Sequence, residues 1–256
     1  MGLHTIKLSK ISTDPPAKLD KEKASLQTAN WCQRIADFQY ALYAEKKQSL
    51  LVILQGMDGS GKDGVVKNVF GKCTATGLAV SEFKKPTDEE LAHDFLWRVH
   101  KVAPEKGSIR IFVRSHYEDV LIQRVHNLIT PERAQKRMEA INHFEELLRF
   151  DNNTVIIKFY MHISHKQQKI ELQQRIDDVT KQWKYNPADW EESKLWKKYM
   201  ACYEDAINQS SIPWHIIPTD KRWYRDYLVA KIVYETMEKM NPILPTLKPD
   251  ENRKAP

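Results

Sequence analysis

Short apolar runs alternate with longer amphipathic stretches along most of this chain. Over residues 23–46 the large apolar side chains recur every three or four positions, a spacing that places them on one face of a helix. The residues that set this period are Trp31, Ile35, Phe38 and Leu42. The pattern therefore predicts an amphipathic helix before the first apolar run.

Five apolar runs predict five β-strands, at residues 50–55, 78–83, 108–113, 154–163 and 213–218. The segments between them predict helices, at 61–76, after 83 through about 102, after 113 to about 150, and on both sides of the last strand. Strands and helices that alternate in this way favour a parallel sheet with helices on both faces. Ligands of such sheets bind at the carboxyl ends of the strands, so we expect functional residues directly after the apolar runs.

The chain has 256 residues, of which 41% are hydrophobic and 29% charged, as in ordinary globular proteins. We expect a polar N-terminal arm at 1–25, one domain at 26–240 and a C-terminal tail at 241–256. No apolar run approaches the roughly 18 residues of a membrane span, and no segment has the pattern of a signal peptide. Three widely spaced cysteines show no zinc or redox spacing. We therefore expect a cytoplasmic protein that does not bind membranes.

The charge balance is mildly basic, with 40 Lys and Arg against 34 Asp and Glu and a formal net charge of +6. This excess favours a polyanionic partner such as a nucleotide, polyphosphate or a nucleic acid. Charge alone is equally compatible with a basic protein that has no such partner. No helix-turn-helix, zinc-finger or basic-zipper pattern is present in the sequence, so we expect no nucleic acid as partner.

A glycine-rich segment after the first predicted strand carries the strongest chemical signal. The spacing of Gly56, Gly61 and Lys62 is that of a Walker A loop, and a helical segment follows it. Glycines let backbone N–H groups curl around phosphate oxygens, the helix N-terminus adds partial positive charge, and the lysine adds a full charge. The candidate phosphate- and nucleotide-binding residues here are Gly56, Gly59, Ser60, Gly61, Lys62, Asp63, Gly64 and Lys67.

Two acidic residues distinguish this loop from the usual motif. Asp63 stands where a Ser or Thr normally coordinates Mg²⁺, and Asp58 lies within the loop itself. Two carboxylates beside a polyphosphate would repel it unless metal ions lie between them. The loop therefore predicts a site for phosphate and a divalent metal, with Asp58 as a candidate ligand.

A second group of candidates follows the third predicted strand. Arg114 offers bidentate contacts to phosphate, and Glu118 offers a carboxylate for a metal or a nucleotide. A surface ion pair for Arg114 and a core position for Tyr117 are equally compatible with the residues alone. Val113 occupies the strand end, where a Walker B acid is expected.

With both motifs identified, the chain resembles the polyphosphate kinase 2 family from about residue 28 to 245. Its unusual pair of aspartates in the Walker loop is part of that likeness. The collinear blocks that carry it include Gln55-Gly56-Met57-Asp58-Gly59-Ser60-Gly61-Lys62-Asp63-Gly64, Arg114-Ser115-His116-Tyr117-Glu118-Asp119-Val120-Leu121, Trp183-Lys184-Tyr185 and Pro213-Trp214-His215-Ile216-Ile217-Pro218. The form with Glu118 is similar to the class III branch, whose members resemble polyphosphate-dependent kinases of both AMP and ADP.

The resemblance implies a three-layer αβα fold of the P-loop kinase type, with a five-stranded parallel sheet and a helical lid at about 165–195. It implies reversible phosphoryl transfer from polyphosphate to ADP and AMP with Mg²⁺ or Mn²⁺ as cofactor. AMP, ADP, ATP and guanine nucleotides are the implied small-molecule partners, and a homodimer or homotetramer is the implied assembly. The implied catalytic residues are Asp58, Lys62, Arg114 and Arg175, the metal ligands are Asp58 and Glu118, and the further binding residues are Tyr117, Glu118, Arg124, Lys181 and Lys184.

One position departs from this family. It usually has Asp or Asn where this chain has Val113, and a valine side chain neither ligates a metal nor accepts a hydrogen bond. Two alternatives to the family's activity stay open, the first resting on the Walker loop and the second on Val113. One is an ATP-dependent P-loop kinase, although Asp63 in place of Ser or Thr argues against it. The other is a catalytically weakened protein that binds polyphosphate without turnover.

Overall fold

A computed structural model describes residues 5–247, so the first four residues of the predicted arm and residues 248–256 of the predicted tail lie outside the described residues. The strands are β1 (Ser49–Gln55), β2 (Leu78–Glu82), β3 (Ile109–Val113), β4 (Thr154–His162) and β5 (Trp214–Pro218). They form one parallel sheet in the order β2-β3-β1-β4-β5. The predicted five-stranded parallel sheet is thereby confirmed.

The helices are α1 (Lys21–Glu45), α2 (Lys62–Val69), α3 (Asp88–Leu91), α4 (Trp97–His100), α5 (Ile122–Val125), α6 (Pro131–Asn152), α7 (His165–Asp177), α8 (Ala188–Lys194), α9 (Trp196–Gln209) and α10 (Arg222–Met240). Helices α1, α2 and α10 pack on one face of the sheet, and α6 and α9 pack on the other. These three layers confirm the αβα architecture. Within residues 5–247, no helix combines the length and the apolar character needed to cross a membrane.

Strand β1 is the centre of the sheet because it pairs with both β3 and β4 and is buried along its whole length. Leu50, Val52 and Leu54 enter the core on one face, while Leu51 and Ile53 enter the core on the other. This alternation follows from the two-residue period of a strand. The loop that follows β1 therefore emerges at the middle of the carboxyl edge of the sheet.

The N-terminal arm is docked rather than separate from the domain over its described part. Leu8 is buried, Lys7 pairs with Glu204 at 3.0 Å, and the carbonyl of Ile11 lies 3.2 Å from His162 Nε2. The arm also ends earlier than predicted. Helix α1 begins at Lys21 because the Asp20 side chain accepts hydrogen bonds from the first backbone N–H groups of the helix.

Two predicted helices are shorter in the structure. The helix predicted at 61–76 ends at Val69, since the following segment turns back and is held by Gln39 of α1, which bonds Thr74 and Thr76. The helix predicted through about 102 is instead the two single turns α3 and α4. Periodicity alone does not report where a helix is capped or interrupted, and α3 begins at a capping box formed by Thr87 and Glu90.

A fully buried ion pair links the sheet to α6. The ammonium of Lys158 on β4 lies 2.6 Å from Glu145 and also donates to Tyr117 Oη and Ser210 Oγ. Burial lowers the pKa of Lys158, and Glu145 opposes that shift. Because Tyr117 belongs to the short helix His116–Asp119 after β3, the pair fixes the segment that presents Arg114 and Glu118.

The variant Lys158→Met removes the buried ammonium and leaves the Glu145 carboxylate without its cation. Breaking such a pair costs about 3–5 kcal/mol, whereas replacing both partners by apolar groups is often neutral. In urea unfolding we expect Lys158→Met to lose this amount of the free energy of unfolding. The double variant Lys158→Met/Glu145→Leu is expected to recover most of the lost stability. A single variant as stable as the parent protein would contradict this role of the pair.

Candidate active site

The loop after β1 curves tightly, and two of its positions can hold only glycine. A Cβ on Gly56 would lie 2.9 Å from the carbonyl oxygen of Met161, and Gly61 has a φ of 88°, which favours glycine. Gly61 precedes the first turn of α2, whose free N–H groups face the loop. The chain thus forms the strand–loop–helix geometry of a phosphate site.

The lysine of this loop is buried and folded onto its own backbone. Lys62 Nζ donates to the carbonyls of Gly56 at 2.7 Å and Met57 at 3.1 Å, and the side chain is 7% exposed. Burial lowers the pKa of Lys62, while the Asp58 carboxylate opposes that shift. A phosphate oxygen at the loop would offer this ammonium a stronger acceptor than the two carbonyls.

A cleft of about 800 Å³ lies between the loop, the strand ends and helices α7, α8 and α10. Most of the predicted site residues line it, namely Asp58, Gly59, Ser60, Gly61, Lys62, Asp63, Gly64, Lys67, Arg114, Arg175, Lys181 and Lys184. Val113, at the end of β3, also faces this cleft. The fold therefore collects residues from the Walker loop, the end of β3 and the predicted lid around one space.

Asp58 and Arg114 form an ion pair across the cleft, with 2.6 Å between Asp58 Oδ1 and Arg114 Nη2. Burial raises the pKa of the Asp58 carboxyl, but Lys62 and Arg114 outweigh that effect and hold the pKa below its ordinary value. Arg114 adopts a φ of 60°, a conformation that non-glycine residues rarely take. The turn after β3 thus directs its guanidinium towards the loop.

The two loop carboxylates are balanced by cations of the protein. Asp63 lies 2.6 Å from Lys184 of the predicted lid, as Asp58 pairs with Arg114. The sequence suggested that only metal ions would offset these acids. The pair of Lys184 and Asp63 was not predictable from local motifs, because the two residues are 121 positions apart along the chain.

Glu118 and Arg124 lie outside the lining of the phosphate cleft. Glu118 accepts a hydrogen bond from Gln55, the last residue of β1, and burial raises the pKa of its carboxyl. Arg124 forms an ion pair with Asp205 of α9. Both side chains are half-buried and lie on the two short helices that follow β3.

Tyr117 requires a correction. Its ring is fully buried, and its hydroxyl bonds Glu145, Ser210 and Lys158 in the interior. A nucleotide has no access to this side chain, so Tyr117 supports the site from within the core. The alternative of a core aromatic was therefore the correct one.

Helices α7 and α8, with the turn Gln182–Lys184 between them, line the cleft and occupy the region for which a lid is predicted, so we refer to this region as the lid. The lid is attached at its base, where Gln168 Nε2 donates to the carbonyl of Asp58 and Ser193 Oγ donates to Gln168. Arg175 of α7 pairs with Asp189 of α8. These contacts hold the basic face of the lid above the Walker loop.

The residues that the sequence analysis missed include Asp189 and Arg225, which line the cleft, and Gln168, which bonds the Walker loop beside it. Each is an isolated polar residue in a helical segment, and no local motif marks it. Asp189 is buried against Arg175, and burial raises the pKa of its carboxyl. Only the tertiary arrangement reveals these three residues.

The cleft suits a magnesium ion that arrives with phosphates. Among residues 5–247, no three His, Cys, Asp or Glu side chains converge as a metal site. The Asp58 carboxylate is 28% exposed beside the Walker loop. Mg²⁺ commonly binds one or two carboxylates and takes its other ligands from substrate phosphates and water. This donor set therefore fits such an ion, with Asp58 as the protein ligand in the cleft.

A family model described as polyphosphate kinase 2 (PPK2) matches residues 18–245. The chain belongs to the polyphosphate kinase 2 family. This confirms the resemblance found in the motifs, and the chain is therefore an enzyme of that family. The matched residues include the Walker loop, the end of β3 and the lid.

Similar proteins support the same assignment. An AMP/ADP-polyphosphate phosphotransferase of Meiothermus ruber is 46% identical over 209 residues, which are 80% of this chain and 78% of that protein. An ADP-polyphosphate phosphotransferase of Rhodopseudomonas palustris is 38% identical over 232 residues, 85% of this chain and 80% of that one. The crystal structure of polyphosphate kinase 2 from Arthrobacter aurescens matches with a TM-score of 0.92 and 35% identity, covering 98% of this chain and 92% of that chain.

The variant Lys184→Met removes the ion pair between the lid and Asp63. The partners are 34% and 66% exposed, so the pair contributes at most about 1 kcal/mol. We expect amide hydrogen exchange of residues 178–186 to become up to about fivefold faster. Lys194→Met is the matched control because Lys194 pairs with Glu191 on α8, away from the loop. Unchanged exchange in Lys184→Met, or equal acceleration in both variants, would contradict a lid–loop tether.

Proposed function

We propose that this protein transfers the terminal phosphoryl group of inorganic polyphosphate to ADP and AMP, in a reversible reaction. The single observation that carries the proposal is the composition of the cleft. It joins a Walker loop to cations from the end of β3 and from the lid, represented by Lys62, Arg114 and Arg175. A chain of phosphates with roughly one negative charge per residue is the substrate that such a basic cleft would concentrate.

The chemistry requires alignment and charge neutralisation more than covalent help from the protein. The terminal phosphate of polyphosphate would lie against the loop, within reach of Lys62. A nucleotide phosphate oxygen attacks the terminal phosphorus, one P–O bond forms, and the bridging P–O bond to the shortened polyphosphate breaks. Arg114 and the cations of the lid hold the charge on the equatorial oxygens. No general base is needed because the attacking oxygen is already ionised at neutral pH.

Mg²⁺ or Mn²⁺ would be held by Asp58 together with phosphate oxygens, and it would neutralise part of the phosphate charge. Asp58 is also paired with Arg114. Binding of phosphates would therefore give Arg114 a second anionic partner. The pair keeps the Arg114 guanidinium beside the loop.

The lid would exclude water from the transferring phosphate. Its base is attached to the loop through Gln168, and its tip contacts Asp63 through Lys184. A closed lid favours transfer to a nucleotide over loss of the phosphoryl group to water. Guanine nucleotides as acceptors, a cytoplasmic location and assembly into a homodimer or homotetramer stay predictions.

A second candidate function rests on Val113. Its side chain lines the cleft at the end of β3, where the related enzymes usually carry Asp or Asn, and it offers no ligand there. A protein with this substitution would bind polyphosphate but turn it over slowly. Salt-sensitive binding without product would be its signature.

Lys62→Ala removes the cation at the transferring phosphate and is expected to lower kcat by about 10²–10³-fold, the usual cost of losing one transition-state contact. The measurement is formation of ADP and ATP from AMP or ADP with polyphosphate and Mg²⁺. Lys72→Ala is the control, because Lys72 is exposed outside the cleft. An unchanged kcat in folded Lys62→Ala would overturn the proposed function.

Val113→Asn restores a polar side chain at the end of β3 and separates the two candidate functions. If Asp58 and substrate phosphates are sufficient to bind the metal, the parent protein is active. In that case Asp58→Asn lowers kcat strongly, whereas Val113→Asn changes kcat little. The readout is the rate of ATP formation from ADP and polyphosphate. An inactive parent that gains activity through Val113→Asn would instead support the weakened binding protein.

A further inference from the structure

Arg225 of α10 lies against the first turn of α2, where the Walker loop ends. Its side chain is only 3% exposed, yet it lines the phosphate cleft. An added Cβ on Gly61 would lie 2.0 Å from Arg225 Nη1, and one on Gly64 would lie 2.7 Å from Nη2. The guanidinium thus occupies the space that side chains at these two positions would fill.

This placement explains the glycine at position 64. Gly64 lies inside α2 and shows no positive φ, so its backbone conformation does not require glycine. A glycine inside a helix costs about 1 kcal/mol relative to alanine. The close approach of Arg225 accounts for it, since any Cβ would displace the guanidinium.

The guanidinium is held in a fixed orientation by its neighbours. Nε and Nη2 of Arg225 both contact Asp226 Oδ1, at 2.8 and 2.7 Å. Asn68 of α2 donates to the other carboxylate oxygen of Asp226 at 2.7 Å. Asp226 and Asn68 therefore act as positioning residues that fasten Arg225 to the flank of α2.

One nitrogen of this group lacks an acceptor. Among residues 5–247, no oxygen accepts a hydrogen bond from Arg225 Nη1, although the side chain is almost completely buried. Because Arg225 lines the cleft, this nitrogen is a charged donor that a ligand in the cleft could reach. Nη1 lies beside Gly61, at the N-terminus of α2, where backbone N–H groups also favour an anion.

We propose that Arg225 is a phosphate-binding residue, whose Nη1 donates to an oxygen of a phosphoryl group bound at Gly61. The proposal rests on the proposed function for the nature of the ligand, a chain of phosphates joined by anhydride bonds. That chemistry is shared by polyphosphate and by the nucleotide. Arg225 thereby adds a cation from α10 to those of the loop, the end of β3 and the lid.

Arg225→Met tests the contact, because methionine keeps an unbranched side chain but removes the charge. Loss of a charged hydrogen bond is expected to raise the KM for the phosphate ligand by about tenfold or more. Lys231→Met is the matched control on the same helix, since Lys231 is half-exposed and pairs with Glu235, and it does not line the cleft. Its kinetic constants should equal those of the parent protein.

The two sources of phosphate are separated by varying each substrate in turn. A raised KM for polyphosphate with an unchanged KM for ADP places the contact on the donor, and the reverse places it on the acceptor. Either outcome supports phosphate binding by Arg225. Values of both KM and kcat within twofold of the parent protein would overturn it.

Gly64→Ala tests the same contact without removing any charge. Its new Cβ would push the guanidinium away from Gly61, while alanine favours the helix. We expect the same KM to rise as in Arg225→Met, while the helix propensity of alanine offsets part of the cost of moving the guanidinium away from Asp226. A variant with parental KM values would show that the position of the guanidinium does not matter for phosphate binding.

Direct measurement of polyphosphate binding tests the contact without requiring turnover. Isothermal titration of polyphosphate into parent, Arg225→Met and Lys231→Met proteins reports affinity even if no product forms. Weaker binding in folded Arg225→Met alone supports the contact on the donor, even if the proposed function fails. Equal polyphosphate affinity in all three proteins, together with an unchanged KM for ADP, overturns the contact.

Discussion

The pairing of cations with carboxylates inside the cleft is the constraint on which the site depends. A cleft for a polyanion must gather positive charge, and partly buried cations repel one another unless each has a partner. Arg114 is therefore paired with Asp58, and Arg175 with Asp189. The partners keep the guanidinium groups in place before a ligand arrives, and they leave nitrogens that phosphate oxygens can reach. The aspartate inside the Walker loop is thus part of a charge balance as well as a candidate metal ligand.

The rest of the fold positions these pairs. The central strand β1 places the loop at the middle of the carboxyl edge, and the buried pair of Lys158 and Glu145 fixes the turn after β3. Gln168 joins the base of the lid to the loop. The three parts that meet at the cleft are consequently each fastened to a neighbouring element. The tip of the lid is attached to the loop through the partly exposed pair of Lys184 and Asp63.

Local patterns in the sequence were sufficient to predict the sheet and the Walker loop, because each depends on neighbouring residues, whereas the lid was predicted from the family resemblance. Long-range contacts were not predictable from such patterns. Tyr117 follows Arg114 closely in the chain, but the topology buries its ring and turns the arginine towards the cleft. Arg225 follows the loop by more than 150 residues and reaches it only because α10 packs beside α2. The segment after α2 is a further example, since Gln39 of α1 holds Thr74 and Thr76 where a continued helix was predicted.

Phosphorus NMR of the protein with polyphosphate, AMP and Mg²⁺ is the sharpest test of polyphosphate-dependent transfer, because it observes donor and acceptor together. We expect polyphosphate residues to disappear in step with the growth of the ADP and ATP signals, one phosphoanhydride formed for each one broken. We also expect little release of free phosphate, since a closed lid would exclude water. Shortening of polyphosphate with release of inorganic phosphate and no new nucleotide signal would contradict transfer to the nucleotide.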